Sequence, residues 1–131
     1  YGKILNKNNN IKYEGFVYQN TIKFNNIIKE NAYVILDSSS EGCVTSVMSC
    51  MKTGMLPIIN YECGISLNNF GYELKHDNNE DIVPEIIKKC NLAALKPKTE
   101  YENEVKTMLS NISHISKEGF SKNIENLVNQ L

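Results

Sequence analysis

Short apolar runs alternate with amphipathic stretches along this chain, and the alternation predicts strands and helices in turn. Tyr33-Val34-Ile35-Leu36 is too brief for a helix and rich in strand formers, which predicts a buried strand. A polar turn follows, Asp37-Ser38-Ser39-Ser40-Glu41-Gly42. Val44, Val47, Met48 and Met51 then recur at helical spacing, and Gly54 stands where a glycine would end that helix. Leu56-Pro57-Ile58-Ile59 is a second short apolar run, with Pro57 read as standing at the strand's start. Strand, turn, helix and strand in this order make a βαβ unit.

The flanking segments extend the pattern. Tyr1 to Leu5 reads as the tail of a strand and Asn6 to Asn10 as a polar loop. Ile11 to Val17 alternates apolar and polar residues and predicts a strand, with Gly15 marking either a bulge or a close approach of backbone or ligand. Asn20 or Thr21 is placed to cap a helix whose apolar face is Ile22, Phe24, Ile27 and Ile28. Residues 60–71 are irregular, and Tyr72-Glu73-Leu74 predicts a short last strand. A helix opening in the acidic stretch near Asp77 to Asp81 has the face Ile82, Val83, Ile86 and Ile87. Beyond Pro97, a longer helix starts near Thr99 and carries Tyr101, Val105, Met108, Leu109, Ile112 and Ile115. After Gly119, Phe120, Ile124, Leu127, Val128 and Leu131 describe a terminal amphipathic helix. Two β-α-β steps with short connections predict an α/β fold: a Rossmann-like parallel sheet with helices on both faces.

Composition narrows the function classes. The 131 residues suit one domain, and residues 1–131 are expected to form a single one. The chain is 41% hydrophobic and 22% charged, as ordinary globular domains are. A net charge of -1 advertises no surface for nucleic acid, and no such partner is expected. No apolar run approaches the roughly 20 residues that span a bilayer. Tyr1-Gly2-Lys3 does not open a signal peptide, and the first residue is not Met, so a piece of a longer protein is expected. Cys43, Cys50, Cys63 and Cys90 fit no CxxC spacing; reduced structural thiols of a cytoplasmic protein are expected, with no metal and no cofactor.

The chemistry gathers at the turn after Leu36. In parallel sheets ligands bind beyond the strand C-termini, and the free N–H groups of a following helix suit a phosphate. Glu41 just before that helix is either a cap or an acceptor of hydroxyl hydrogen bonds from a sugar, and local sequence favours capping. Asp37 at a strand end, with Lys96-Pro97 downstream, gives some likeness to a response-regulator receiver domain. An acidic pair before Asp37 has no counterpart, and the Ser-Ser-Ser-Glu-Gly loop is unlike a receiver's. His76 and His114 have no acid or cysteine partner nearby in sequence and read as surface or boundary residues.

Taken in order, the segments resemble the donor-binding half of a GT-B glycosyltransferase of the large retaining "group 1" family. IKYEGFV at Ile11–Val17 is similar to that family's V-x-F-x-G-x-V strand. YVILDSSSEG at Tyr33–Gly42 is similar to its strand, Pro-Ser, x-x-Glu-Gly block. VMSCMKTGMLPII at Val47–Ile59 resembles L-x-E-A-M-A-x-G-x-P-V-I; ECGISLNNFGYEL and the closing segment from Lys117 continue the match. The resemblance implies transfer of a sugar from a nucleotide-sugar donor to an acceptor with retention of configuration. The isolated piece would be inactive, because the acceptor-binding N-terminal domain is absent. It further implies that Glu41 contacts the donor sugar, that Gly42 and the N–H groups of Cys43, Val44 and Thr45 face the diphosphate, and that Val17 lies against the base. Ser49 stands where the family's second motif Glu meets the ribose, and Val44 and Thr45 stand where glycine is usual. These departures frame an alternative, a degenerate non-catalytic module that keeps the fold for binding or scaffolding.

Overall fold

The structure, a computed structural model, describes residues 11–19, 21–38, 44–75, 82–113 and 121. These fall into two compact units, the residues before Asn31 and those from Asn31 onward.

In the first unit, Thr21 begins helix α1 (Ile22–Glu30) because its Oγ1 accepts the Phe24 N–H at 3.1 Å, an N-terminal donor with no partner inside the helix. The same hydroxyl donates to the Tyr18 carbonyl at 2.8 Å, tying the entering chain to the cap. The alternating stretch Ile11–Val17 is irregular and forms no strand, contrary to the sequence expectation. Alternation predicts a strand only where a neighbouring strand takes up the backbone N–H and C=O groups, and no such ladder reaches these residues. Gly15 has φ +68° with open space around it, so it marks no bulge in a ladder, and no described backbone approaches it.

The second unit is a three-stranded parallel sheet with helices on both faces. β1 (Tyr33–Leu36) pairs with β2 (Leu56–Asn60), Tyr33 opposite Leu56 and Leu36 opposite Ile59. β2 pairs with β3 (Tyr72–Leu74), Ile58 opposite Tyr72 and Asn60 opposite Leu74. All five β2 residues are buried, which is why Leu56–Ile59 is continuously apolar and does not alternate. Pro57 is the second residue of this central strand. The Leu56 N–H points toward β1 and donates to the Ala32 carbonyl at 2.9 Å, so position 57 faces β3, whose pairing begins only at Ile58. The missing N–H of proline therefore leaves no gap in the ladder.

α2 (Thr45–Lys52) crosses from β1 to β2 and buries Val47 and Met51. It ends at Gly54, as its sequence predicts. Gly54 has φ +97°, its N–H reaches the Met51 carbonyl at 2.9 Å, and the Met55 N–H reaches Cys50 at 3.2 Å, the paired bonds of a Schellman motif. α3 (Val83–Ala94) follows β3, and α4 (Lys98–Ile112) follows Pro97. α2 and α4 share one core with Ile59: Val47, Met51, Met108 and Ile112. On the other face Ala93, Ile82, Ile86 and Cys90 of the α3 segment pack on Ile58 and Leu74. Val83 and Ile87, expected on the buried face of α3, are about half exposed. They lie one step of ~100° around the helix from the 82–86–90–93 line that meets the sheet.

Candidate functional site

The C-terminal ends of β1 and β2 lie side by side, and a hydrogen-bonded polar network joins them. Asn60 ends β2 and is 5% exposed, the buried polar residue at the foot of an apolar strand. Its Nδ2 donates to Asp37 Oδ1 at 2.7 Å and to the Ser38 carbonyl at 2.8 Å, across the gap between the strand ends. Its Oδ1 accepts from the Cys63 thiol at 3.2 Å, and the same sulfur lies 3.8 Å from the Leu36 carbonyl. The neighbours fix the orientation of the amide: two oxygens face its nitrogen and one S–H faces its oxygen.

Beyond Ser38 the chain passes to α2. Glu41, Gly42 and Cys43, the three residues expected nearest the ligand, lie outside the described residues. Val44 occupies the N-cap of α2, where an apolar side chain offers no bond to the first-turn N–H groups, and that first turn has no acid of its own. The Val44 side chain is buried in the core with Val47 and Met51, so its branched carbons point away from solvent. Thr45, the first helical residue, is exposed. The N-terminal N–H groups of α2 thus carry the partial positive charge of a helix start, with no carboxylate in its own first turn.

Ser49 lies one helical turn on. Its hydroxyl donates to the Thr45 carbonyl at 2.7 Å, the common way a mid-helix serine satisfies itself. Val17 belongs to the unit before Asn31 and is half-buried there.

A cleft of about 610 Å³ opens past the end of β2. Asn60, Tyr61, Glu62, Ser66 and Asn68 line it, with Glu73 from β3. Gly64 makes the turn possible with φ +67°, closing the short 3₁₀ segment Tyr61–Cys63. Carboxylates, hydroxyls and amides give this cleft the chemistry to accept and donate hydrogen bonds to a hydroxyl-rich ligand.

Lys96, the basic residue of the receiver-like alternative, is committed elsewhere. Its side chain is 5% exposed, pairs with Glu104, and sits 4.4 Å over the Tyr72 ring. Among the described residues no cluster of His, Cys, Asp and Glu is suited to a metal ion, and no helix is long and apolar enough to cross a membrane. Cys50, Cys63 and Cys90 are thiols, and burial pushes the Cys50 thiol above its ordinary range. His76 and His114 lie outside the described residues.

Sequence reasoning found the strand-turn-helix and missed Asn60 and Cys63. The available signal was a single amide closing the apolar run Leu-Pro-Ile-Ile, since a polar side chain there must find partners or be expelled. Comparison with family models, with curated proteins and with solved structures finds no match to this chain.

Proposed function

We propose that this chain is the donor-binding half of a retaining GT-B glycosyltransferase, taking a nucleoside diphosphate sugar at the turn between β1 and α2. The observation that carries the reading is the start of α2: a helix N-terminus with no side-chain cap at Val44, set at the C-terminal end of a parallel strand. Such an end offers N–H donors and positive potential to a diphosphate, and both strengthen their hold as negative charge develops on the leaving group. The collinear resemblance of Tyr33–Ile59 to the family's blocks adds Glu41 as the contact to the donor sugar's hydroxyls. In this reading the cleft beside Asn60 and Glu62 lies next to the sugar. The acceptor comes from a preceding domain that completes the cleft.

The test is made in the full-length protein. Sugar release from nucleotide-sugar donors is followed for the native sequence and for Glu41→Ala. Loss of turnover by roughly a hundredfold or more is expected for a group that contacts the sugar during bond breaking. Unchanged turnover would remove Glu41 from the site.

A second reading, a non-catalytic module that keeps the fold, is favoured by Ser49, whose hydroxyl donates to Thr45. It predicts that the full-length protein binds nucleoside diphosphates without releasing sugar.

A further inference from the structure

We infer that the cleft past the end of β2 is a saccharide-binding site in its own right, suited to a neutral pyranose that carries no phosphate. This holds whether or not the turn before α2 takes a nucleotide, because every group it uses lies between Asn60 and Glu73. The volume of about 610 Å³ falls within the roughly 300–1,000 Å³ of small-molecule sites. The loop that builds the cleft is held from within. Cys63 and Phe70 are buried in the core with Val47, Met51 and Ile59, and Ile65 and Leu67 pack half-buried against it. Gly64 turns the chain and donates its N–H to the Tyr61 carbonyl at 3.0 Å. On the opposite wall, β3 holds Glu73 in register with Ile59. Tyr61, Glu62, Ser66 and Asn68 remain exposed along the cleft. A wall anchored in this way exists before a ligand arrives, so binding spends little on ordering it.

A pyranose has an apolar C–H face and an edge of hydroxyls, and the cleft has a counterpart for each. Tyr61 is 79% exposed and offers an aromatic face with few rotatable bonds to order. The Glu62 and Glu73 carboxylates accept from hydroxyls, and hydrogen bonds to an ionised acceptor are the strong ones. Lys75 Nζ lies 3.4 Å from Glu73, whereas Glu62 forms no ion pair among the described residues, so its oxygens are open to a ligand. Ser66 Oγ donates to Asn68 Oδ1 at 2.9 Å, which leaves the Asn68 amide nitrogen as a donor. Charge decides against a phosphate. Two carboxylates and no Lys, Arg or His stand among the described lining residues, so an anion here would meet like charge with no lining cation to offset it.

The test uses the full-length protein without nucleotide. Glucose, galactose, mannose and N-acetylglucosamine are titrated at millimolar concentration by ligand-observed NMR against the native protein, Tyr61→Ala and Glu62→Gln. Both residues are exposed, so both variants should keep the native thermal midpoint, which is measured alongside. At least one sugar is expected to bind, and each variant should weaken it about tenfold, through loss of the aromatic face or of the charged acceptor. The 6-phosphate of the sugar that binds best should bind the native protein about tenfold more weakly than its parent and regain affinity in Glu62→Gln. Three results would each overturn the inference: no binding of any of these sugars, affinity within about twofold of native in either variant, or a 6-phosphate that binds as well as its parent sugar.

The result is separable from that of the donor site. Sugar binding that is lost in Tyr61→Ala and Glu62→Gln, with no Glu41-dependent release from nucleotide sugars, keeps the cleft and removes the proposed function. Glu41-dependent release, with sugar binding unchanged in those two variants, keeps the proposed function and removes the cleft.

Discussion

Gly71 lies so close to Pro57 that a β-carbon at position 71 would stand 2.3 Å from the Pro57 carbonyl oxygen and 3.0 Å from its ring carbons. The chain enters β3 here with φ +69°, and the absence of a side chain lets it run against the proline of the central strand. Gly71→Ala is expected to destabilise the protein by about 3 kcal/mol, combining left-handed strain with overpacking against backbone. Gly15→Ala is the control, because Gly15 has nearly the same φ, +68°, and nothing within 4 Å. It should cost only about 1 kcal/mol. Urea unfolding of both variants separates the contact from the backbone strain.

Glu104 ties α4 to the connection that follows α3 and to the entry of β3. One carboxylate oxygen pairs with Lys96, and the other accepts the Gly71 N–H at 3.1 Å. The Lys96 side chain is 5% exposed, so removing its partner leaves a nearly buried ammonium uncompensated. Glu104→Gln should cost about 3 kcal/mol, and adding Lys96→Met should restore part of the loss instead of deepening it. A double-mutant cycle in urea measures this, and strict additivity would show that the pair is not coupled.

Stability is expected to fall on the alkaline side. Burial by itself would lower the Lys96 pKa, but hydrogen bonds to Glu104 and to Tyr72 outweigh it and hold the group above its ordinary value. Burial raises the phenols of Tyr33 and Tyr101. In all three the folded state keeps its proton after the unfolded state has lost it. Stability from these groups is thus complete below the ordinary lysine and tyrosine values of 10.5 and 10.0, and is lost as pH rises through the folded values. Thermal unfolding at stepped pH should show a midpoint that declines from about pH 10 upward. Lys96→Met should lessen the slope.

The Tyr101 hydroxyl stands between two carbonyls, 2.8 Å from Gly54 and 3.1 Å from Ala32. It joins α4 to the end of α2 and to the entry of β1. Tyr101→Phe leaves the packing of the ring and removes the donor, with an expected loss of about 1 kcal/mol. The shift of the urea midpoint at unchanged slope is the measurement.

Ser49 gives a prediction on the ligand side. Its hydroxyl donates to the Thr45 carbonyl, so Ser49→Ala removes a bond made inside the helix itself. Nucleoside diphosphate affinity of the full-length protein should change by no more than about twofold, and the helix should gain a few tenths of a kcal/mol from the alanine. A tenfold loss of affinity would assign the ribose to this hydroxyl.

The local pattern carried the elements whose cause is local. Tyr33–Leu36, Leu56–Ile59 and Tyr72–Leu74 are strands as their composition predicts, and the helix from Thr45 ends at Gly54 because a left-handed residue is needed there. From these the parallel sheet with helices on both faces followed. Ile11–Val17 misled because alternation describes a strand only when a partner is present. Val83 and Ile87 misled because several apolar lines on one helix compete, and the position of the sheet chooses among them. Tertiary structure alone decided the strand end. That Asn60 meets Asp37 and Ser38, that Cys63 fixes its amide, and that Gly71 fits Pro57 all depend on register between strands. Register arises from the packing of the whole sheet, so residues far apart in sequence share a hydrogen bond that neither segment encodes by itself.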